Sequence, residues 1–111
     1  MDEMSEETKT MISQFQVYQQ QLQSVLMQKE SLRLQNMEID KTLEELNSTK
    51  QKNAYKITGT VMISKPVEDL KKELNESKEA VEIRIKSLEK TEERLSSKLK
   101  ELQVKLKDVI R

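Results

Sequence analysis

Counting by fours and threes from Met11 reaches Phe15, Tyr18, Leu22, Val25, Lys29, Leu32, Asn36, Ile39, Leu43 and Leu46. Only Lys29 and Asn36 interrupt this apolar seam, so the pattern predicts a helix made for a coiled coil, over about 5–51. Phe15, Leu22, Lys29, Asn36 and Leu43 are its a positions; Met11, Tyr18, Val25, Leu32, Ile39 and Leu46 are d. A second run, over about 67–110, repeats the pattern. Val67, Leu74, Val81, Leu88, Leu95, Leu102 and Val109 recur every seven residues at d, while Lys71, Lys78, Ile85, Glu92, Leu99 and Leu106 fill a. This helix is the more charged, and Glu68–Lys72, Glu82–Lys86 and Glu101–Lys105 each set an acid four residues before a base, the favourable order on a helix.

Between the runs the period shortens to two. Tyr55, Ile57, Val61 and Ile63 share one parity around Gly59, and Thr60-Val61-Met62-Ile63 is β-branched or apolar. With Thr58-Gly59 as a tight turn, this predicts a β-hairpin of about 54–65, with strands Ala54–Thr58 and Thr60–Lys65 and one apolar face. Pro66 suits the first turn of the second helix, where a missing N–H costs little. The fold class expected is mainly α: a long antiparallel two-helix coiled-coil hairpin with one small β-hairpin at its bend, in a single domain over 1–111.

Antiparallel pairing makes facing residue numbers add to a constant. With 117, centred on the hairpin, Phe15 faces Leu102, Leu22 faces Leu95, Leu32 faces Ile85, Leu43 faces Leu74 and Met11 faces Leu106, each a meeting a d. Totals seven higher or lower satisfy the same frame; the short linker prefers 117. Lys29 and Glu92 then lie one layer apart, and a pair between them inside the seam would fix register more than it adds stability. The ends agree: Met1–Thr10 carries a net charge of −3 and Lys98–Arg111 a net charge of +3, which antiparallel helices bring together. Helices of this length reach on the order of 60 Å. A two-stranded hairpin is marginal alone in water and its two open edges invite pairing, so this neck predicts assembly with hairpins of other subunits.

Composition narrows the function. Charged residues make up 36% and hydrophobic ones 34%, with no tryptophan and one phenylalanine, a mix for solvated helices or disorder rather than a globular core; the heptads select helices. Twenty basic and twenty acidic side chains balance, so no basic excess is present to hold nucleic acid or an anionic membrane. Thr10–Gln28 is uncharged and near the length of a membrane span, but its seven glutamines make burial in hydrocarbon very costly. The acidic start, Met1-Asp2-Glu3-Met4-Ser5-Glu6-Glu7, is unlike a signal peptide, and the absence of cysteine fits a cytoplasmic location.

Catalysis finds no support. A two-helix coil offers no pocket, there is no histidine or cysteine, and one glycine cannot build a phosphate loop. Glu6-Glu7 and Glu92-Glu93 are adjacent on helices and point about 100° apart, so neither makes an acid–base pair. No enzyme activity, metal or cofactor is expected.

This order of elements resembles the beta class of prefoldin subunits. Tyr55-Lys56-Ile57-Thr58-Gly59-Thr60-Val61-Met62-Ile63 looks like that family's hairpin. Lys86-Ser87-Leu88-Glu89-Lys90-Thr91-Glu92-Glu93-Arg94-Leu95 and Leu99-Lys100-Glu101-Leu102-Gln103 look like its second helix, and Gln19-Gln20-Gln21-Leu22-Gln23 is similar to its glutamine-rich first helix. The resemblance implies a holdase chaperone that uses no ATP. Beta subunits would join alpha-class subunits and one another in a hexamer whose hairpins form a β-barrel platform. Coiled-coil tips would hold unfolded client proteins and deliver them to a group II chaperonin.

On that reading the client-binding candidates are Met4 and Met11 at d, Ile12 and Ile110 at e, and Leu106 and Val109 in the seam near its open end. Met11, Leu106 and Val109 have the competing role of closing the coil. The off-seam residues Val17, Leu26, Met27, Leu34 and Met37 are further places where clients could touch, or merely isolated exposed side chains. Tyr55, Ile57, Gly59, Val61, Met62 and Ile63 are the assembly candidates. Two other classes compete: a scaffold coiled coil whose hairpin is only a turn, and a nucleic-acid or membrane binder using the basic C-terminal end.

Overall fold

A computed structural model describes residues 5–110, except for the side chain of Ile110. Its element order is α1 (Glu6–Ser48), β1 (Asn53–Thr58), β2 (Val61–Pro66) and α2 (Val67–Ile110). This is the architecture that the heptads and the period-two neck predict. Two compact units are built from it. One contains α1 up to Glu30 and α2 from Lys86 onward; the other is Ser31–Ile85, with the two strands.

Ser5 caps α1. Its Oγ accepts from the Thr8 N–H at 3.1 Å, satisfying a donor that the helix cannot, and Glu6 and Glu7 place negative charge in the first turn. The helix stops at Ser48, short of the expected 51. The cause is local: the Thr49 hydroxyl accepts from the Gln51 N–H at 3.2 Å, an alternative to helical bonding that turns the chain outward. In α2, Glu68 and Asp69 occupy the first turn and Lys107 the last, both matched to the helix dipole. Glu68 pairs with Lys71, three residues on, at 3.2 Å.

Burial follows the predicted seam. Val25, Leu32, Ile39 and Leu46 of α1 and Val67, Val81, Leu95 and Leu102 of α2 are buried, all at d. Each such side chain contributes about 1.5–3 kcal/mol relative to exposure. Leu70 is also buried, although it lies outside the a and d set; it joins Leu46 and Val67 in one cluster, against which Ala54 and Leu74 pack. Beside the hairpin the seam is therefore wider than two heptad columns. Val109, predicted in the seam, is instead exposed. The alignment sets Thr8 opposite it, and the Thr8 hydroxyl is engaged with Ser5 at 3.0 Å, which leaves Val109 no apolar partner there.

Ion pairs join the helices within each unit. In the first, Lys29 bonds Glu92, one turn beyond the Leu88 expected to face it. In the second, Asp40 and Lys78 meet at 2.6 Å, Lys78 being next to the expected Ser77. The alternatives seven residues away would bring Leu70 or Arg84 opposite Asp40 instead. The Asp40 carboxylate raises the Lys78 pKa by a hydrogen bond and by its charge. Asn36, the other polar a residue of α1, buries its Oδ1 without a hydrogen-bond partner.

The hairpin register pairs Asn53 with Pro66, Tyr55 with Ser64, Ile57 with Met62 and Thr58 with Val61. Gly59 and Thr60 alone form the loop, so Thr60 belongs to the turn and not to β2. Gly59 has φ +60° and no other residue among those described has positive φ, which fits a II′ turn with glycine first. Pro66 ends β2 rather than opening α2. It sits where its position on the ladder points outward, so its missing N–H breaks no strand bond. The next residue resumes the ladder, Val67 N–H donating to the Lys52 carbonyl at 2.8 Å.

The Lys29–Glu92 pair gives a test of the seam. The Lys29 side chain is only 11% exposed and that of Glu92 30%. Replacing Glu92 with alanine strands the ammonium and should cost about 1–3 kcal/mol in urea denaturation. The double change Lys29→Leu with Glu92→Leu should be neutral or stabilising, because it removes both charges together.

Candidate functional site

The hairpin presents two faces. Residues paired across the strands share a face, and their numbers have opposite parity because the loop holds two residues. Tyr55, Ile57, Met62 and Ser64 therefore lie on one face, with Val61, Ile63, Ala54, Lys56, Thr58 and Lys65 on the other. This corrects the expectation that Tyr55, Ile57, Val61 and Ile63 form a single apolar face. The two-residue turn is the reason: it reverses the parity of the residues that share a face from one strand to the other.

The second face is fastened to α2 at its base. Lys65 Nζ donates to Glu73 Oε1 at 2.6 Å and Lys56 Nζ to Glu73 Oε2 at 3.2 Å, while Ala54 packs on the Leu46–Val67–Leu70 cluster. The hydrogen bonds from Lys65 and then Lys56 hold the Glu73 carboxyl below its ordinary range. No spacing in the sequence announced this clamp, since it depends on a hairpin folding onto a helix. Beyond the clamp, Tyr55, Ile57, Val61, Met62 and Ile63 are all exposed, as is Gly59 at the turn. All the assembly candidates are thus brought together on one small sheet, and none of their large apolar side chains is covered.

The client-binding candidates lie in the other unit. Met11 and Val109 line one shallow depression with Glu7, Lys105 and Asp108, so the acidic start of α1 does meet the basic end of α2. Met11, Ile12 and Leu106 are half-buried and Val109 is exposed. Met4 and the side chain of Ile110 lie outside the described residues. Val17, Leu26, Met27, Leu34 and Met37 are exposed as expected, and α2 adds Ile83 and Val104, exposed apolar positions off its seam that were not among the expected ones.

A second depression is lined by Lys29, Lys86, Lys90 and Lys100 with Glu89, Glu92 and Glu93. It is open and charged on all sides. Among the described residues no group of acidic side chains could hold a metal ion, and no helix is long and apolar enough to cross a membrane.

Comparison with known proteins now decides the family. Residues 9–111 match the prefoldin subunit family. The chain belongs to that family. It is 35% identical to the prefoldin subunit beta of Archaeoglobus fulgidus over 111 residues, covering 99% of this chain and 96% of the relative. It is also 35% identical to the prefoldin subunit beta of Thermococcus onnurineus, covering 100% and 97%. The crystal structure of the prefoldin beta subunit from Thermococcus strain KS-1 superposes with a TM-score of 0.89 at 34% identity, covering all of this chain and 98% of that one. A prefoldin subunit is part of a chaperone and assembles with other prefoldin subunits.

The Glu73 clamp is open to a direct pH test. A carboxyl held below its ordinary value stabilises the fold above that value and loses the contribution as pH falls through the lowered one. Wild type should therefore be more stable than Glu73→Gln at neutral pH, and the gap should close as pH falls below the ordinary value of 4.5. Paired thermal melts across this range read it; a gap that ignores pH would show that Glu73 acts without its charge.

Proposed function

We propose that this chain is a beta-class subunit of an ATP-independent holdase, a single prefoldin-type domain that joins alpha-class subunits and other beta subunits in a cytoplasmic hexamer. The observation that carries the reading is a hairpin with open edges and exposed Tyr55, Ile57, Val61, Met62 and Ile63. Two strands alone are marginal in water, and sheet edges of this kind are relieved by pairing with other strands. The full-length likeness to beta subunits supports the same partner.

Clients are held where α1 begins and α2 ends. Met4, Met11, Ile12, Leu106, Val109 and Ile110 offer flexible apolar contacts, and Glu7, Lys105 and Asp108 beside Met11 and Val109 keep that end hydrated when empty. The exposed Val17, Leu26, Met27, Leu34 and Met37 extend the surface that an unfolded chain can touch. Such contacts are individually weak, which suits release to a group II chaperonin. The reading calls for no cofactor, nucleic acid or catalytic residue: the protein works by covering apolar surface, not by changing bonds.

The test is suppression of aggregation of a chemically denatured client by the assembled complex. Changing Ile12→Ser together with Ile110→Ser should weaken suppression several-fold, about 1 kcal/mol of contact per side chain, while the mass of the complex stays unchanged. Full protection by that double variant would move client binding away from the helix ends. A wild-type chain that neither assembles nor protects would leave a scaffold coiled coil.

A further inference from the structure

Within the first unit, α1 and α2 present different outer faces. On α1 the outward b, c and f positions from Thr10 to Met27 carry no charge. Gln16, Gln20 and Gln23 lie among the hydroxyls of Thr10, Ser13 and Ser24, with Val17 and Met27 between them, and all are exposed. Lys9 and Glu30 close this strip at its two ends. On α2 the outward positions from Lys90 to Asp108 hold seven charged side chains, interrupted only by Ser97 and Val104. The two stretches run side by side, so the contrast belongs to the helices and not to the level along the coil.

Stability gives no reason to omit charge here. Lysine and glutamate form helices as well as glutamine does, and a solvated surface gains solubility from charge. Charge is left out where a surface is to be covered, because an ammonium or carboxylate pressed against apolar groups loses its hydration without recompense. The strip lacks what a folded partner needs, however. Val17 and Met27 are its only large apolar side chains, it carries no aromatic anchor, and each glutamine loses much rotamer freedom when held in one place. A second copy of this chain meets the same objection. Beside the strip, Thr10, Ser13, Gln14, Val17 and Tyr18 line a shallow depression of about 280 Å³, room for one or two protein side chains.

We infer that this strip of α1 is a track on which an uncharged, extended segment of an unfolded client lies, while the charged outer face of α2 stays in water. The inference rests on the client-holding reading above and extends it from the helix ends along one face of one helix. Each glutamine side chain offers two N–H donors and a carbonyl acceptor, so it meets the peptide C=O and N–H of a client whatever the client's sequence. These bonds replace bonds to water and each adds little, so the client is held by many weak contacts and released readily. From Thr10 to Met27 the strip spans about 26 Å at about 1.5 Å per residue. That is the reach of roughly eight extended residues. Aggregation-prone segments are close to that length and low in charge, which a charge-free track covers without stripping water from an ion.

The chain has no cysteine, so a single introduced one carries a label to a chosen place. Gln20→Cys on α1 and Ser97→Cys on α2, both at exposed positions, each take a benzophenone in a complex co-expressed with a cysteine-free alpha-class subunit of the same organism. Illumination with a chemically denatured client bound should join the client to position 20 about tenfold more than to position 97. In unlabelled complexes, Gln16→Glu with Gln23→Glu, and Gln16→Lys with Gln23→Lys, should each weaken suppression of client aggregation about threefold or more, because either sign of charge spoils the track. Arg94→Gln with Glu101→Gln on α2 should stay within about twofold of wild type. Native mass and helix content should be unchanged throughout. Equal labelling at the two positions, cross-links from position 20 to another subunit in place of the client, or full protection by both charged variants overturns the track. Loss with one sign of charge alone also overturns it, since the client's own charge would then decide. In each of these cases the holdase reading stands. A wild-type complex that assembles but protects no client overturns that reading and this one together.

Discussion

Each long helix carries one apolar stripe, and burying that stripe against the other helix is the constraint on which the rest of the structure depends. With 36% charged residues and a single phenylalanine there is no second core to fall back on. The d columns hold Val25, Leu32, Ile39 and Leu46 on α1 and Val67, Val81, Leu95 and Leu102 on α2, and all are buried. The a columns are less uniform. Lys29, Asn36, Lys71, Lys78 and Glu92 spend hydrophobic positions on polar groups, which lowers stability but opposes slippage of one helix past the other. Asp40 with Lys78 shows that role directly, since a shift of one heptad would set Leu70 or Arg84 opposite Asp40; Lys29 with Glu92 joins the helices in the other unit but lies between two such alignments.

The neck follows from the same constraint. A chain that must reverse within a few residues has little material with which to cover its turn. The hairpin gains what it can from the helices: Ala54 on the Leu46–Val67–Leu70 cluster, Lys56 and Lys65 on Glu73, and the Val67 N–H on Lys52. That fastens the base and leaves the apolar remainder in water. In a prefoldin subunit this is a division of labour. The seam makes the subunit, and the clamp fastens the hairpin to α2 while its apolar strand residues stay uncovered.

The seam was legible in the sequence because its signal repeats: a seven-residue period sampled many times leaves few alternatives, and the alignment at 117 predicted the meeting of Lys29 with Glu92. The neck was legible only in outline. Gly59, β-branched residues and the period of two announced a hairpin, but which side chains share a face depends on whether the loop holds an odd or an even number of residues, and the two found, Gly59 and Thr60, reverse the parity from one strand to the next. That is why Val61 and Ile63 were expected beside Tyr55 and Ile57 and are found on the opposite face. Glu73, Leu70 and Val109 mark the other limit. Their settings arise from a hairpin leaning on a helix, or from Thr8 turning to cap with Ser5, and no local period encodes such contacts. The end of α1 at Ser48 belongs between the two: the hydroxyls of Ser48 and Thr49 were visible, but their competition with the helix showed only in the fold.

The central claim is that the open hairpin becomes part of a larger sheet. Hydrogen exchange of its outward amides tests this most directly, with the chain alone and then mixed with an alpha-class subunit. The amides of Asn53, Tyr55, Ile57, Met62 and Ser64 should exchange freely in the isolated chain, since the hairpin gives them no partner. In the complex they should slow by about tenfold or more, as strand pairing gives each a bond worth about 1 kcal/mol. Unchanged exchange at all five in a complex that has demonstrably formed would place the contact elsewhere and contradict the account.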